Sequence, residues 1–97
     1  MKEMKKLYNY LKDNDYNVER RRDKKHEHDQ IIVRDKNGRY CWDAICQPGS
    51  YGYSQGLIEI AGSITDDRLL GWLTADDIIR RVEGLRNDKT RESAEWL

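Results

Sequence analysis

The sequence predicts a single α+β domain, in which helices pack against a three-stranded antiparallel meander in the order α-β-β-β-α-α. Apolar residues recur at helical spacing near the N-terminus and again after residue 74. Between residues 16 and 46, short apolar runs separated by turn residues indicate strands. The 97 residues leave room for one domain. We assign residues 1–86 to this domain and the polar residues 87–97 to a flexible C-terminal tail.

The first helix is predicted over residues 2–13, where charged residues separate apolar ones at helical spacing. These apolar residues are Met4, Leu7, Tyr8 and Leu11. Asn14 follows as a residue that tolerates the left-handed conformation of a helix end. Residues 16–20 then alternate between apolar and polar, as a half-buried strand does. Residues 20–29 contain no apolar side chain, which predicts a solvated strand end and a long loop.

The second and third strands are predicted on either side of an Asn-Gly turn. Residues 30–35 contain three consecutive apolar residues, which indicate a central strand covered on both faces. Asn37-Gly38 is the pair that a two-residue type I′ turn requires. In the third strand, residues 40–46, the odd spacing of Cys41 and Cys46 puts their side chains on opposite faces, which argues against a disulfide between them. We expect a cytoplasmic protein with reduced thiols.

The segment after the third strand is rich in glycine and tyrosine and predicts a sharp corner. Pro48 ends strand pairing because it has no N–H to donate. Three glycines between residues 49 and 56 allow the backbone to turn. A packed corner is favoured over a nucleotide site, because the segment lacks the lysine of a phosphate-binding loop.

The helical layer is predicted from residue 57 onwards. The apolar residues within 57–64 predict a short buried helix, and residues 69–73 predict a connector. The last helix begins after Thr74, where Thr74 and Asp77 have the spacing of a capping box.

The charge of the chain is balanced, with 18 basic and 18 acidic residues. The net charge of zero provides no long-range attraction to nucleic acid or to an anionic membrane. Residues 1–36 carry a net charge of +3 (11 basic, 8 acidic) and residues 37–97 one of −3 (7 basic, 10 acidic). The sequence lacks a run of about 18 apolar residues that would span a membrane. The small core of so charged a chain predicts a monomer or a weak homodimer that binds a partner.

The sequence contains no complete constellation for catalysis or metal binding. His26-Glu27-His28-Asp29 offers two imidazoles and two carboxylates, but a zinc site needs three or four converging ligands, and an exposed charged loop is favoured. Neither the cysteines nor Ser50 and Ser54 show a nucleophile motif with a neighbouring base. We therefore expect no enzyme activity, no metal and no cofactor.

Nucleic-acid binding remains the alternative function. The densest basic run of the chain has side chains that could contact phosphates. These are Arg20, Arg21, Arg22, Lys24 and Lys25. Interleaved acidic residues reduce the net charge of residues 19–29 to +1, so a solvated hairpin is favoured.

Residues 40–83 resemble a family of small uncharacterised proteins from bacterial, phage and mobile-element genomes. Three segments carry the resemblance: Trp42-Asp43-Ala44-Ile45-Cys46-Gln47-Pro48-Gly49-Ser50-Tyr51-Gly52-Tyr53, Gly56-Leu57-Ile58-Glu59 and Gly71-Trp72-Leu73-Thr74-Ala75-Asp76-Asp77-Ile78. The resemblance implies a phage or mobile-element context and no particular chemistry.

The predicted layout is also similar to that of small anti-CRISPR proteins of phages, which bind a host nuclease through acidic surfaces. The small core, the lack of a reactive constellation and the exposed aromatic residues of the corner predict a non-enzymatic phage or mobile-element protein that binds another protein. The similarity to anti-CRISPR proteins implies that this partner is a host defence protein. The residues expected to contact the partner are Tyr51, Tyr53, Glu59, Asp66, Asp67, Asp76 and Asp77.

Overall fold

A computed structural model describes residues 1–95 of the chain, with the side chains of residues 1–86. Its α-helices and strands are α1 (Lys2–Asp13), β1 (Asn17–Asp23), β2 (His28–Arg34), β3 (Tyr40–Ile45), β4 (Ile58–Gly62), β5 (Leu70–Leu73) and α2 (Ala75–Glu95). Two short 3-10 helices, Tyr53–Gln55 and Ser63–Thr65, lie before and after β4. The strands form one antiparallel sheet in the order β1-β2-β3-β4-β5. The predicted α+β class, the first helix, the antiparallel pairing of the first three strands and the final helix are confirmed.

The elements between β3 and α2 differ from the predicted order. Residues 57–64, expected as a helix, contain β4, and the expected connector of residues 69–73 contains β5. Short apolar runs fit the helical and the strand period equally, so pairing with β3 determines the outcome. The predicted α-β-β-β-α-α order with three strands is therefore wrong in this region, because the sheet has five strands within the described residues.

Two turns also differ from the expectation. At the β2–β3 turn only Gly38 has a positive φ, of 82°, and the Asp35 carboxylate accepts bonds from the backbone N–H groups of Asn37 and Arg39. This side-chain cap replaces the predicted type I′ turn with a longer loop. The charged segment of residues 20–29 is mostly strand, since β1 continues to Asp23.

The two faces of the sheet have different surroundings. α1 and α2 lie side by side on one face, which we call the covered face, and they are joined there by a 2.8 Å bond from the Ala75 N–H to Glu3. Strand registers align the buried side chains of this face with one another. The core consists of Met4, Leu7, Leu11, Ile31, Val33, Trp42, Ala44, Cys46, Ile58, Ile60, Ile64, Ala75, Ile78 and Val82. Neither α1 nor α2 lies on the opposite face, which we call the open face.

The predicted capping box is present at the start of α2. The Asp77 N–H donates to Thr74 Oγ1 at 3.1 Å, and the Thr74 N–H donates to Asp77 Oδ2 at 2.9 Å. These reciprocal bonds satisfy two N–H groups that the first helical turn would leave without partners.

The capping box makes the stability of the protein depend on pH. The bond from the Thr74 backbone N–H lowers the pKa of the Asp77 carboxyl below its ordinary 3.8. A carboxyl group whose pKa is lowered by folding stabilises the folded protein at pH values above its unfolded-state pKa. This stabilisation is lost as the pH falls through the folded-state pKa. We expect Asp77→Asn to lose less stability than the wild type between about pH 5 and about pH 2, measured by urea unfolding. If the free energies of unfolding of the wild type and Asp77→Asn fell by the same amount over that range, this role of Asp77 would be contradicted.

Three further expectations concern the thiols, the tail and membrane segments. Cys41 is partly buried, Cys46 is buried, and both are free thiols. Among the described residues, none of the helices combines the length and the apolar character needed to cross a bilayer. The structure does not describe the side chains of residues 87–97, so the expected flexible tail falls outside the part of the chain with described side chains.

Candidate functional site

The open face carries three exposed aromatic side chains. Tyr40 is 53%, Tyr51 50% and Trp72 58% exposed. Tyr40 lies at the start of β3, and its hydroxyl donates to Asp43, which is on the open face. Tyr51 follows β3, and its N–H donates to Glu59 of the same face. Tyr51 and Trp72 form one aromatic pair, whereas the strand registers place Tyr40 towards the opposite end of the same face.

A bulge in β5 directs Trp72 to this face. Leu70 pairs with Ile60 and Leu73 with Ile58, so Gly71 and Trp72 together oppose Glu59. Trp72 has a φ of 54°, a left-handed conformation that is an outlier for a bulky residue. The bulge brings the Trp72 ring against the Tyr51 ring, with 4.9 Å between the ring centroids and 31° between the planes. The backbone N–H of Trp72 donates to the backbone carbonyl of Tyr51 at 3.3 Å.

Two glycines allow the Gly-Tyr corner to approach β5 closely. A Cβ on Gly71 would lie 2.3 Å from the Cβ of Tyr51. A Cβ on Gly52, whose φ is +92°, would lie 2.8 Å from Leu57 Cβ and 3.0 Å from Trp72 Cα. The corner is thus a tightly packed turn, as the sequence predicts, and it holds the two rings in one arrangement.

Glu59 lies beneath the corner. Its residue is 8% exposed, and its Oε1 accepts the Tyr51 N–H at 3.1 Å. In the part of the chain with described side chains, no Lys, Arg or His nitrogen lies within 4.0 Å of this carboxylate. Glu59 therefore holds the corner through one hydrogen bond at Oε1, whereas its Oε2 has no hydrogen-bond partner among the described residues and is not sealed from solvent.

Tyr40 also has a carboxylate beside it, together with Arg34, its cross-strand partner. Its hydroxyl donates to Asp43 Oδ1 at 2.6 Å, while the Gln30 amide donates to Asp43 Oδ2 at 3.1 Å. Partial burial, the bond to Asp43 and the charge of Asp67 raise the pKa of Tyr40 to about 12. Tyr40 is thus a neutral phenol at neutral pH, and carboxylates accompany both aromatic positions of the open face.

The other residues expected to contact a partner lie elsewhere. Tyr53 is half-buried, and its hydroxyl donates to Glu27 of the β1–β2 turn. Asp66 is exposed beside Asp67 in the turn before β5. Asp76 pairs with Lys6 at 2.9 Å at the start of α2, where Asp77 forms the capping box. Of the seven expected contact residues, the structure brings Tyr51 and Glu59 into direct contact with each other.

The basic segment does not form a continuous cationic patch. Arg20 donates two bonds to Asp29, at 3.0 and 2.7 Å, and Arg22 lies 4.0 Å from the same carboxylate. Arg21 pairs with Glu19 at 2.7 Å on the open face. Because neighbouring residues of a strand point to opposite faces, the three arginines are divided between both sides of the sheet. Lys24 and Lys25 are exposed in the β1–β2 turn.

The histidine segment lies in the β1–β2 turn and the first residue of β2. His26 Nδ1 is 2.6 Å from Asp23 Oδ2, and the centroids of the His26 and His28 rings are 5.9 Å apart. Asp29 is held by Arg20 instead of facing the imidazoles. Among the described side chains, no three metal-binding groups converge on one point.

A cleft of about 420 Å³ lies between α2 and the end of the sheet that contains the β2–β3 turn. Trp42, Val33 and Val82 line it, and none of its lining residues belongs to the corner of residues 46–57. The cleft and the aromatic pair are therefore separate features.

Sequence reasoning missed Trp72 as a surface residue. The available signal for Trp72 was the glycine before it, because a glycine within a strand pattern often marks a bulge. Tyr40 has the spacing of the inward residues Trp42 and Ala44, and the irregularity of the β2–β3 register between Val33 and Arg34 places it on the open face.

The fold and its surface define a small α+β domain with a helix-covered sheet and an open face that carries exposed aromatic side chains. Comparisons of the chain with protein-family models, with curated proteins and with solved structures each return no match.

Proposed function

We propose that this protein is a non-enzymatic binding protein, and that its open face docks against another protein. The observation that carries the proposal is the presence of three half-exposed aromatic rings on the sheet face opposite the helices. Tyr and Trp are enriched among the residues that dominate the binding energy of protein interfaces, because they bury a large area with few rotatable bonds.

The conformation of Trp72 adds to this argument. A left-handed conformation costs a bulky residue about 1–3 kcal/mol. At Trp72 this conformation leaves more than half of the side chain in water, so internal packing offers little compensation. Such strain is typical of binding and catalytic positions.

Charge favours a protein over a nucleic acid as the partner. Aromatic rings on an open sheet can stack on bases, but single-stranded nucleic acid also needs cations along its backbone. Here the rings are accompanied by the carboxylates of Asp43 and Glu59. Three of the five basic residues considered for phosphate binding lie within 4.0 Å of a carboxylate.

The resemblance of residues 40–83 to phage and mobile-element proteins suggests which partners to test first. Proteins of a bacterial host, including defence proteins such as CRISPR nucleases, are the natural candidates. A partner from this class would make the protein an inhibitor that acts by covering a surface.

The proposal is tested by affinity capture from a bacterial lysate with three baits. These are the wild type, Tyr51→Ala/Trp72→Ala, and a control with the exposed α1 substitutions Lys2→Ala/Lys5→Ala. The protein enriched by the wild type and the control is then purified, and its affinity for all three is measured by calorimetry. We expect the aromatic double variant to bind at least about 100-fold more weakly, because each interface hot spot contributes about 2 kcal/mol or more.

Equal affinity of the purified partner for the wild type and the aromatic double variant would contradict the proposal. Circular dichroism checks that the variants fold. A gel shift with single-stranded oligonucleotides over a salt series tests the alternative function, because phosphate contacts weaken steeply as the salt concentration rises. Salt-sensitive binding that is lost in Lys24→Ala/Lys25→Ala would favour the nucleic-acid function.

A further inference from the structure

Glu59 is a buried carboxylate without a cationic partner among the described side chains. Its residue is 8% exposed, and the bond from the Tyr51 N–H occupies one acceptor position of Oε1. An ionised carboxylate has about four acceptor positions, and it is unfavourable in a low-dielectric site unless a cation or several donors compensate it. Glu59 is therefore suited to receive a positive group from outside the chain.

The position of Glu59 relative to the aromatic pair defines what this group would meet. Glu59 directly opposes the Gly71–Trp72 bulge across the β4–β5 pair. The backbone of Tyr51 bridges the two strands, because its N–H bonds to Glu59 and its carbonyl accepts the Trp72 N–H. A carboxylate and two aromatic rings therefore meet at one edge of the open face.

The combination of a carboxylate with stacked rings matches the chemistry of a guanidinium group. Guanidinium is planar, stacks on the faces of Trp and Tyr, and offers paired N–H donors to a carboxylate. An ammonium group is a strongly hydrated point charge, so it would satisfy the carboxylate without using the flat ring surface in the same way.

We propose that Glu59, Tyr51 and Trp72 form a binding site for an arginine side chain that the partner protein presents. This inference rests on the proposed function, because it specifies the chemical group that the open face receives. The arginine places its guanidinium against the Tyr51–Trp72 pair and bonds to the Glu59 carboxylate. Asp43 adds negative charge to the same face and favours the approach of a basic segment.

The proposal is tested with three peptides that differ at one residue: acetyl-Gly-Arg-Gly-amide, its citrulline analogue and its lysine analogue. Citrulline keeps the planar shape of arginine and removes the charge. Each peptide is titrated into the full chain, and the Tyr51 amide and the Trp72 indole N–H are followed by two-dimensional NMR. We expect saturable shifts with the arginine peptide, and binding at least about tenfold weaker with citrulline because the charge-assisted bond is lost. Lysine is expected to bind between the two.

A matched pair of variants isolates the carboxylate. Glu59→Gln keeps an acceptor for the Tyr51 N–H and removes the charge, so it is expected to weaken arginine-peptide binding at least about tenfold while the fold is retained. Asp76→Asn removes an exposed carboxylate at the start of α2 and is expected to bind as the wild type does. The thermal midpoint of Glu59→Gln is expected to stay close to that of the wild type, because the Tyr51 N–H keeps its acceptor.

The results separate this inference from the proposed function. Absence of saturable shifts with the arginine peptide, or equal binding of citrulline and arginine, overturns the arginine site. A purified partner that binds Glu59→Gln as tightly as wild type, but fails to bind Tyr51→Ala/Trp72→Ala, also overturns it and leaves the docking of the open face supported. A partner insensitive to the aromatic substitutions overturns the proposed function instead.

Discussion

Replacement of Arg20 by methionine is expected to lower the free energy of unfolding by about 3–5 kcal/mol. The side chain of Asp29 is 3% exposed, and Arg20 donates two bonds to it, at 3.0 and 2.7 Å. Without Arg20, the Asp29 charge stays buried, and Arg22 at 4.0 Å compensates it only in part. The Asp29 carbonyl also accepts the Cys46 N–H at 3.0 Å, so disturbance of Asp29 reaches the residue that begins the corner.

The effect is measured by equilibrium unfolding in guanidinium chloride at neutral pH. Arg21→Met is the matched control, because Arg21 is the next residue and pairs with Glu19 in an exposed position. We expect the control to lose less than about 1 kcal/mol. Arg20→Met/Asp29→Leu is expected to regain most of the loss, since it removes both charges. A similar decrease in the free energy of unfolding for Arg20→Met and Arg21→Met would show that the Arg20–Asp29 ion pair stabilises the fold no more than an exposed pair does.

Gly62→Ala is expected to destabilise the protein by about 3 kcal/mol or more, through two independent causes. Gly62 has φ 125° and ψ −149°, a conformation that is open almost only to glycine. An added Cβ would also lie 2.6 Å from Trp42 Cα and 2.7 Å from the Cys41 carbonyl oxygen. Because these are backbone atoms of the paired strand, β3 and β4 would have to separate.

Gly49→Ala is the control that separates the two causes. Gly49 has a φ of +93°, and an added Cβ there meets no atom within 4 Å. We expect it to lose only about 1 kcal/mol, the conformational cost alone. Urea unfolding of both variants gives the comparison. An equal decrease in the free energy of unfolding for both variants would mean that the close approach of β3 and β4 at Gly62 does not add to the cost of the substitution.

Local features of the chain were predictable from the sequence because their physical causes are local. In α1, the residues at helical spacing include Met4, Leu7 and Leu11, and all three are fully buried. The capping box at Thr74 joins residues three positions apart, so the side-chain types suffice to predict it. The corner was predictable in the same way, because Pro and Gly restrict or release the backbone wherever they occur.

The misassigned region shows where local reasoning ends. Ile58, Ile60 and Ile64 fit a short helix as well as a strand. Pairing of Ala44 with Ile60 and of Ile45 with Glu59 selects the strand, and these contacts join residues that are distant in the chain. The charged segment failed for a related reason, since Arg20 and Asp29 became buried through the pairing of β1 with β2.

Patterns of neighbouring residues thus determine the α+β class, the first helix, the meander and the helix cap. The five-stranded sheet, the buried charge of Glu59 and the stacked Tyr51–Trp72 pair depend on long-range strand pairing and on the contact between Gly71 and Tyr51. Spacing along a chain predicts which residues share a face, whereas the burial of a given side chain depends on which distant strand lies beside it.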